Sequence, residues 1–239
     1  MPKPKKLDAL APKILFEDTH LVVISKPAGL LSQGEASGEA NLVDWGREYF
    51  GRNYVGLVHR LDRGTSGLMV IAKRSKAADR LTETLKNGAL VRKYMAVLGG
   101  ELRAPAEWVH WLKKNEVTNT SAVVRSDAPG AKMARLHVTP KQAYRDSGSG
   151  CIYTVAEFAL DTGRSHQIRV QASEMGLPLV GDEKYRGETK KIGNSVLRRP
   201  ALHSYWIEFP HPMTKEIIHL EDTLPSDIEG MLEGLSPLG

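Results

Sequence analysis

One stretch restricts the fold more than any other. Residues 67–73 read GLMVIAK, an almost wholly apolar run entered through the turn formers DRGTSG (62–67). A strand that is apolar on both faces needs cover on both, which puts it in the middle of a sheet. The rest of the chain supplies neighbours. ILFEDTHLVVISKPAG (14–29) predicts two strands around a turn at Glu17–Asp18, stopped by Lys26-Pro27-Ala28-Gly29. VGLVHRL (55–61) alternates and predicts another strand. So do VRKYMAVLGG (91–100), ALHSYWIEFP (201–210) and the segments 107–112, 118–125, 135–139 and 152–160.

Helical signals are fewer. NLVDWGREYF (41–50) predicts a short helix with Asn41 as N-cap and Leu42, Trp45 and Tyr49 on one face. SKAADRLTETLKNG (75–88) predicts a second, capped by Ser75, with Ala78, Leu81 and Leu85 as the buried stripe and Gly88 as the stop. TGRSHQIRVQASEMG (162–176) turns from a strand end into a third. Strands predominate and do not alternate with helices. The expected class is therefore α+β, with a mixed, mainly antiparallel sheet flanked by helices, and not a doubly wound fold.

The 239 residues suffice for one large domain or two small ones. We expect a basic tail at 1–12 and a single domain at 13–239. Hydrophobic content is 41% and charged content 26%, ordinary values for a globular chain. The net charge of +5 is a mild bias that suits an anionic partner. A single cysteine, Cys151, excludes an intramolecular disulfide and predicts a reducing, cytoplasmic setting. The N-terminus MPKPKKLDALAPK has no apolar run behind it, so neither a secretion signal nor a membrane span is expected.

The chemistry centres on HRLDRGTSG (59–67), where Asp62 stands between Arg60 and Arg63. Taken alone, the motif is a tight turn whose aspartate accepts backbone N–H bonds. Given partners elsewhere in the chain, it can instead be a single nucleophile kept ionised beside arginines in a site for a polyanion. Two other segments supply partners. In GRSHQIR (163–169), His166 and Arg169 lie three residues apart on one side of a helix, and such an arginine can clamp a carboxylate or phosphate. In RKYMAV (92–97), Tyr94 faces away from Lys93 on a strand.

Six motifs in order carry a resemblance: KPAGLL, HRLDRGTSGLMVIAK, RKYMAV, LDTGRSHQIRV, GLPLVGDEKY and ALHS…FPHPMTKE. From about residue 13 to the end, the chain resembles the RluA-type RNA pseudouridine synthases. That resemblance implies a central basic cleft and isomerisation of uridine to pseudouridine in rRNA or tRNA. The N1–C1′ bond breaks, the uracil turns, and it rejoins through C5, with neither cofactor nor metal.

Residue by residue, the resemblance makes Asp62 the essential aspartate. It either attacks the sugar or removes the 2′ proton to give a glycal. Tyr94 becomes the residue that stacks on the uracil and the candidate base for the C5 proton. Arg169 becomes the partner of Asp62. Arg60 fills the gap left when the uridine flips out, since a planar guanidinium can replace lost stacking. Arg63 and His166 are expected at the substrate.

Gln171 stands where the family commonly has histidine, which bears on packing or substrate fit. Many relatives carry an extra N-terminal RNA-binding module; this chain is expected to lack it and to read a stem-loop as a monomer. Lys190, Lys191, Arg198 and Arg199, in the basic loop 186–200, are then the expected phosphate contacts.

Two rivals come from other classes. One is a non-catalytic RNA-binding or assembly protein on the same scaffold, against which the intact Asp62, Tyr94 and Arg169 argue. The other is a hydrolase pairing Asp62 with His166, which lacks the metal ligands and nucleophile–base pattern of that class. His203, His211 and His219 are eight residues apart, too far for a metal pair on one element. Trp45, Trp108, Trp111 and Trp206 are expected mostly as core or half-buried strand residues, of which Trp108 or Trp111 could face RNA.

Overall fold

The computed structural model describes residues 10–34, 38–189, 191–193 and 195–238. In chain order the elements are β1 (Lys13–Glu17), β2 (Leu21–Lys26), α1 (Leu42–Phe50), β3 (Gly56–Leu57), β4 (Ser66–Ala72), α2 (Ser75–Lys86), β5 (Val91–Gly99), β6 (Ala106–Asn115), β7 (Thr120–Val124), β8 (Lys132–Arg145), β9 (Ile152–Leu160), α3 (Gln167–Glu174), β10 (Leu202–Pro210), β11 (Ile217–Glu221), α4 (Ser226–Glu233) and β12 (Ser236–Pro237). The class is α+β, with predominantly antiparallel pairing. The chain divides into two compact units. The first runs to Arg92 and takes back Ser204–Thr223; the second is Lys93–His203 with Leu224 onward.

In the first unit the strand order is β1-β2-β4-β10, with β11 on β10 and β3 on β4. All seven residues of β4 are buried, as its apolar run requires. Leu21, Val23, Leu68 and Val70 pack with Ala77 and Leu81 of α2 and with Ile207 and Phe209 of β10. Each such large side chain contributes about 1.5–3 kcal/mol on leaving water. At Gly67, φ is +112° and a Cβ would lie 2.2 Å from the Ser204 carbonyl oxygen, so only glycine admits β10 there. The β2–β4 register ends on Lys26 opposite Gly67. It thereby sets Lys26 beside the DRGTSG loop.

In the second unit the order is β5-β9-β8-β6-β7, with β12 on β8. A bulge between Pro140 and Gln142 lets proline sit in β8. Leu112 and Ala134 receive Val170 of α3 and Tyr185, while Val97, Tyr153 and Val155 pack with Ile228 and Met231 of α4.

Several local expectations hold. Asn41 caps α1 through its side chain, which accepts the Asp44 N–H. Others change. Ser75 is inside α2, and Arg74 is the extended N-cap residue, with no side-chain capping bond. The buried helix stripe centres on Ala77 and Leu81, with Ala78 and Leu85 only partly buried. The expected strand 55–61 shrinks to Gly56–Leu57. Beyond it, side chains take the backbone bonds that a ladder would need: Ser32 holds Leu61, and His59 accepts from Val70.

Candidate active site

The loop carrying Asp62 is pinned by the KPAGLLS segment (26–32). The Ser32 hydroxyl donates to the Leu61 carbonyl at 2.6 Å and accepts the Leu61 N–H at 3.2 Å. The Arg63 carbonyl accepts from the Gly29 N–H at 2.7 Å and from the Lys26 ammonium at 3.4 Å. Lys26 is wholly buried and also donates to the carbonyls of Leu30 and Pro27, at 2.9 and 3.0 Å. A buried ammonium survives only with such partners. The Thr65 N–H closes the turn onto the Asp62 carbonyl at 3.0 Å. KPAG reads from sequence as a rigid turn; the structure adds that Lys26 is a bolt on the Asp62 loop. Its signal was a lysine in a strand otherwise rich in apolar residues.

The flanking arginines diverge. Arg63 is exposed and meets Glu39 bidentately, both bonds at 2.9 Å, so its charge is spent on a surface pair. Such a pair contributes little stability. Arg60 is exposed. His59 is buried, and its pKa is pushed down to about 3, by burial first and by the Arg92 cation second. It is therefore neutral. Its Nε2 accepts the Val70 N–H, which leaves the proton on Nδ1.

In the second unit, Arg169 sits in the first turn of α3. Its Nε and Nη2 bind the two carboxylate oxygens of Asp182, each at 2.7 Å, and its guanidinium lies 5.1 Å from the Tyr185 ring centre. Arg169 and Asp182 are both buried. Burial removes water from the pair, so its strength depends on this bidentate fit. Gly181 carries Asp182 into place: φ is +75°, and a Cβ would lie 2.1 Å from the Arg199 carbonyl oxygen. Nothing local in the GDEKY motif gives Asp182 a role, because its partner stands 13 residues away.

His166 is not on the helix face expected for it. It is the residue before α3, in left-handed backbone at φ 56°, an uncommon conformation for a non-glycine residue. Its ring Nδ1 lies 2.7 Å from the Tyr185 hydroxyl, which also accepts the Ser121 N–H at 2.7 Å. Gln167 organises the entry: its Oε1 accepts from Thr162 Oγ1 and the Arg164 N–H. Gln171 is wholly buried, and its amide donates to the Trp108 carbonyl at 3.0 Å. A flipped amide would set two carbonyl oxygens against each other. Gln171 therefore straps α3 to β6, a packing role.

Tyr94 is buried on β5, opposite Phe158 of β9, while Lys93 is half-buried. Of the basic loop residues, Lys191 and Arg198 are exposed. Arg199 is held by Asp227 through two bonds of 2.6 Å, and Lys190 lies outside the described residues. Trp108 is buried against Phe158, whereas Trp111 is exposed. His211 accepts from the Thr214 N–H and faces Asp18. Among the described residues, no cluster of three or more His, Cys, Asp or Glu is placed to hold a metal. No helix among them is long and apolar enough to cross a membrane.

Residues 20–174 match the sequence profile of the RNA pseudouridylate synthases. The chain belongs to the RNA pseudouridylate synthase family. Enzymes of this family are isomerases that act on RNA. The matched span includes Asp62, Tyr94 and Arg169. An uncharacterized RNA pseudouridine synthase, YhcT, of Bacillus subtilis (strain 168) is 34% identical, over 91% of this chain and 70% of that one. Ribosomal large subunit pseudouridine synthase D of Nitrosomonas europaea is also 34% identical, over 97% of this chain and 67% of that one. The pseudouridylate synthase fold recurs in human RNA pseudouridylate synthase domain containing 1, with a TM-score of 0.75 at 20% identity, covering 99% of this chain and 92% of that one. Human RNA pseudouridylate synthase domain containing 4 follows at 0.73 and 22%, covering 95% and 94%.

Proposed function

We propose that this chain isomerises specific uridines of rRNA or tRNA to pseudouridine, with Asp62 as the essential carboxylate. Tyr94 stacks on the flipped uracil and serves the C5 proton. Arg169, oriented by Asp182, pairs with Asp62. Arg60 takes the place vacated by the uridine, and Lys191 and Arg198 meet backbone phosphates. The enzyme works as a monomer in the cytoplasm.

The observation that carries this reading is the family match, which spans all three proposed catalytic residues in order. Large-subunit rRNA is the first substrate to examine, because relatives named for it align over almost the whole chain.

The test is a pseudouridine map of total rRNA and tRNA from a deletion strain, rescued with wild-type or Asp62→Asn protein. We expect one or a few sites to vanish and only wild type to restore them. Restoration by Asp62→Asn would remove Asp62 from the chemistry. An unchanged map, with a growth defect that Asp62→Asn rescues, would favour the non-catalytic RNA-binding reading.

A further inference from the structure

Arg92 is unlike the other arginines of this chain. Most have an acceptor: Arg63 has Glu39, Arg169 has Asp182, and Arg199 has Asp227. Arg92 is half-buried, and its Nε is shut off from solvent with no hydrogen-bond partner among the described residues. A desolvated donor on a permanent cation is unfavourable unless an acceptor completes it. Among the described residues, no carboxylate forms an ion pair with it. His59, which is buried and neutral, feels the Arg92 charge, and its Nδ1–H also lacks an acceptor. Two donors without acceptors in one neighbourhood mark a place that an anion completes.

Its position on β5 says which anion. Arg92 and Tyr94 are two residues apart and share a face of that strand. Burial along this face deepens from half-buried Arg92 to buried Tyr94 and Ala96. A nucleotide entering base-first along it leaves its phosphate one step nearer solvent than its base.

We propose that Arg92 is a substrate-positioning residue that binds a backbone phosphate beside the flipped uridine. The proposal rests on the assignment of Tyr94 to the uracil. The phosphate accepts from the Arg92 guanidinium and holds the sugar while the base turns.

Two readouts test it. The first is the salt dependence of binding to a fluorescein-labelled RNA hairpin with an all-uridine loop. The second is single-turnover release of tritium from C5-tritiated uridine in an RNA site that wild type modifies. Arg92→Gln should weaken binding about tenfold and lower the slope of log K against log salt by about 0.7, the share of one single-strand phosphate. Tyr94→Phe should leave that slope unchanged and stop tritium release. If Arg92→Gln keeps wild-type affinity and slope, Arg92 is a structural residue and the proposal is overturned.

Should Arg92→Gln fail to fold, Arg92→Lys decides. Lysine keeps the charge and loses the Nε donor, so the slope is kept and affinity falls several-fold; unchanged affinity overturns the proposal. If instead Tyr94→Phe releases tritium at the wild-type rate, the Tyr94 assignment fails, whatever the Arg92 slope shows.

Discussion

The Asp62 loop is held by its backbone, whereas Arg169 is held by its side chain. Ser32, Gly29 and Lys26 bind main-chain groups of Leu61 and Arg63, and none of these contacts uses the Asp62 carboxylate. Asp182 instead takes the Nε–Nη2 edge of Arg169, and Tyr185 covers the guanidinium plane. The difference follows from reach. Aspartate has a short side chain, so setting the Cα sets the carboxylate. Arginine has a long flexible stem, and only contacts at its tip give it one direction.

The comparison can be broken at three places, taken from the largest effect to the smallest, and a fourth change probes the fold outside it. Asp182→Asn removes the charge opposite a buried guanidinium and should cost about 3–5 kcal/mol. Urea unfolding measures it, and a loss near zero would mean that the Arg169 side chain is held by something else. Lys26→Met leaves the buried Leu30 carbonyl without its donor and should cost about 1–3 kcal/mol. It should also lower turnover more than RNA affinity, because the loop loosens while the cations proposed to meet RNA are untouched. Equal losses in both would count against a loop-holding role for Lys26.

Ser32→Ala leaves the Leu61 N–H and carbonyl without partners and should cost about 1–3 kcal/mol. A thermal melt unchanged from wild type would show that backbone holding is redundant there.

The smallest effect is at Asp18, on the turn between β1 and β2. Burial raises its pKa, but the N–H groups of Leu21 and His20, together with His211, outweigh burial and lower it. A carboxylate depressed in the folded state contributes stability that is present above its ordinary value of 3.8 and is lost as pH falls through the folded value. Asp18→Asn should therefore flatten the acid side of a stability–pH curve and leave its slope near neutrality unchanged. An acid limb as steep as that of wild type would assign the acid sensitivity to another group.

Much of this protein is legible in its sequence. GLMVIAK announces a strand buried on both faces, and β4 is that strand. Asn41 announces a cap whose partner is three residues away. Six ordered motifs announce the family, and the match over residues 20–174 shows it. These signals are local, or they depend only on order along the chain.

Partner choice was decided by the tertiary structure. Asp62 stands between two arginines in sequence, yet Arg63 turns to Glu39, 24 residues back. Arg199 looks like a phosphate ligand but meets Asp227, 28 residues on. Lys26 looks like part of a turn but binds the Arg63 carbonyl, 37 residues away. Gln171, whose substitution left packing and substrate fit both open, reaches Trp108 across 63 residues. The short elements β11, β12 and α4 went unread for the same reason: their stability comes from pairing with β10 and β8 and from burying Ile228 and Met231, not from propensity. A residue type states what a side chain can bind. Only the path of the chain brings one acceptor, out of several of equal chemistry, within hydrogen-bond range.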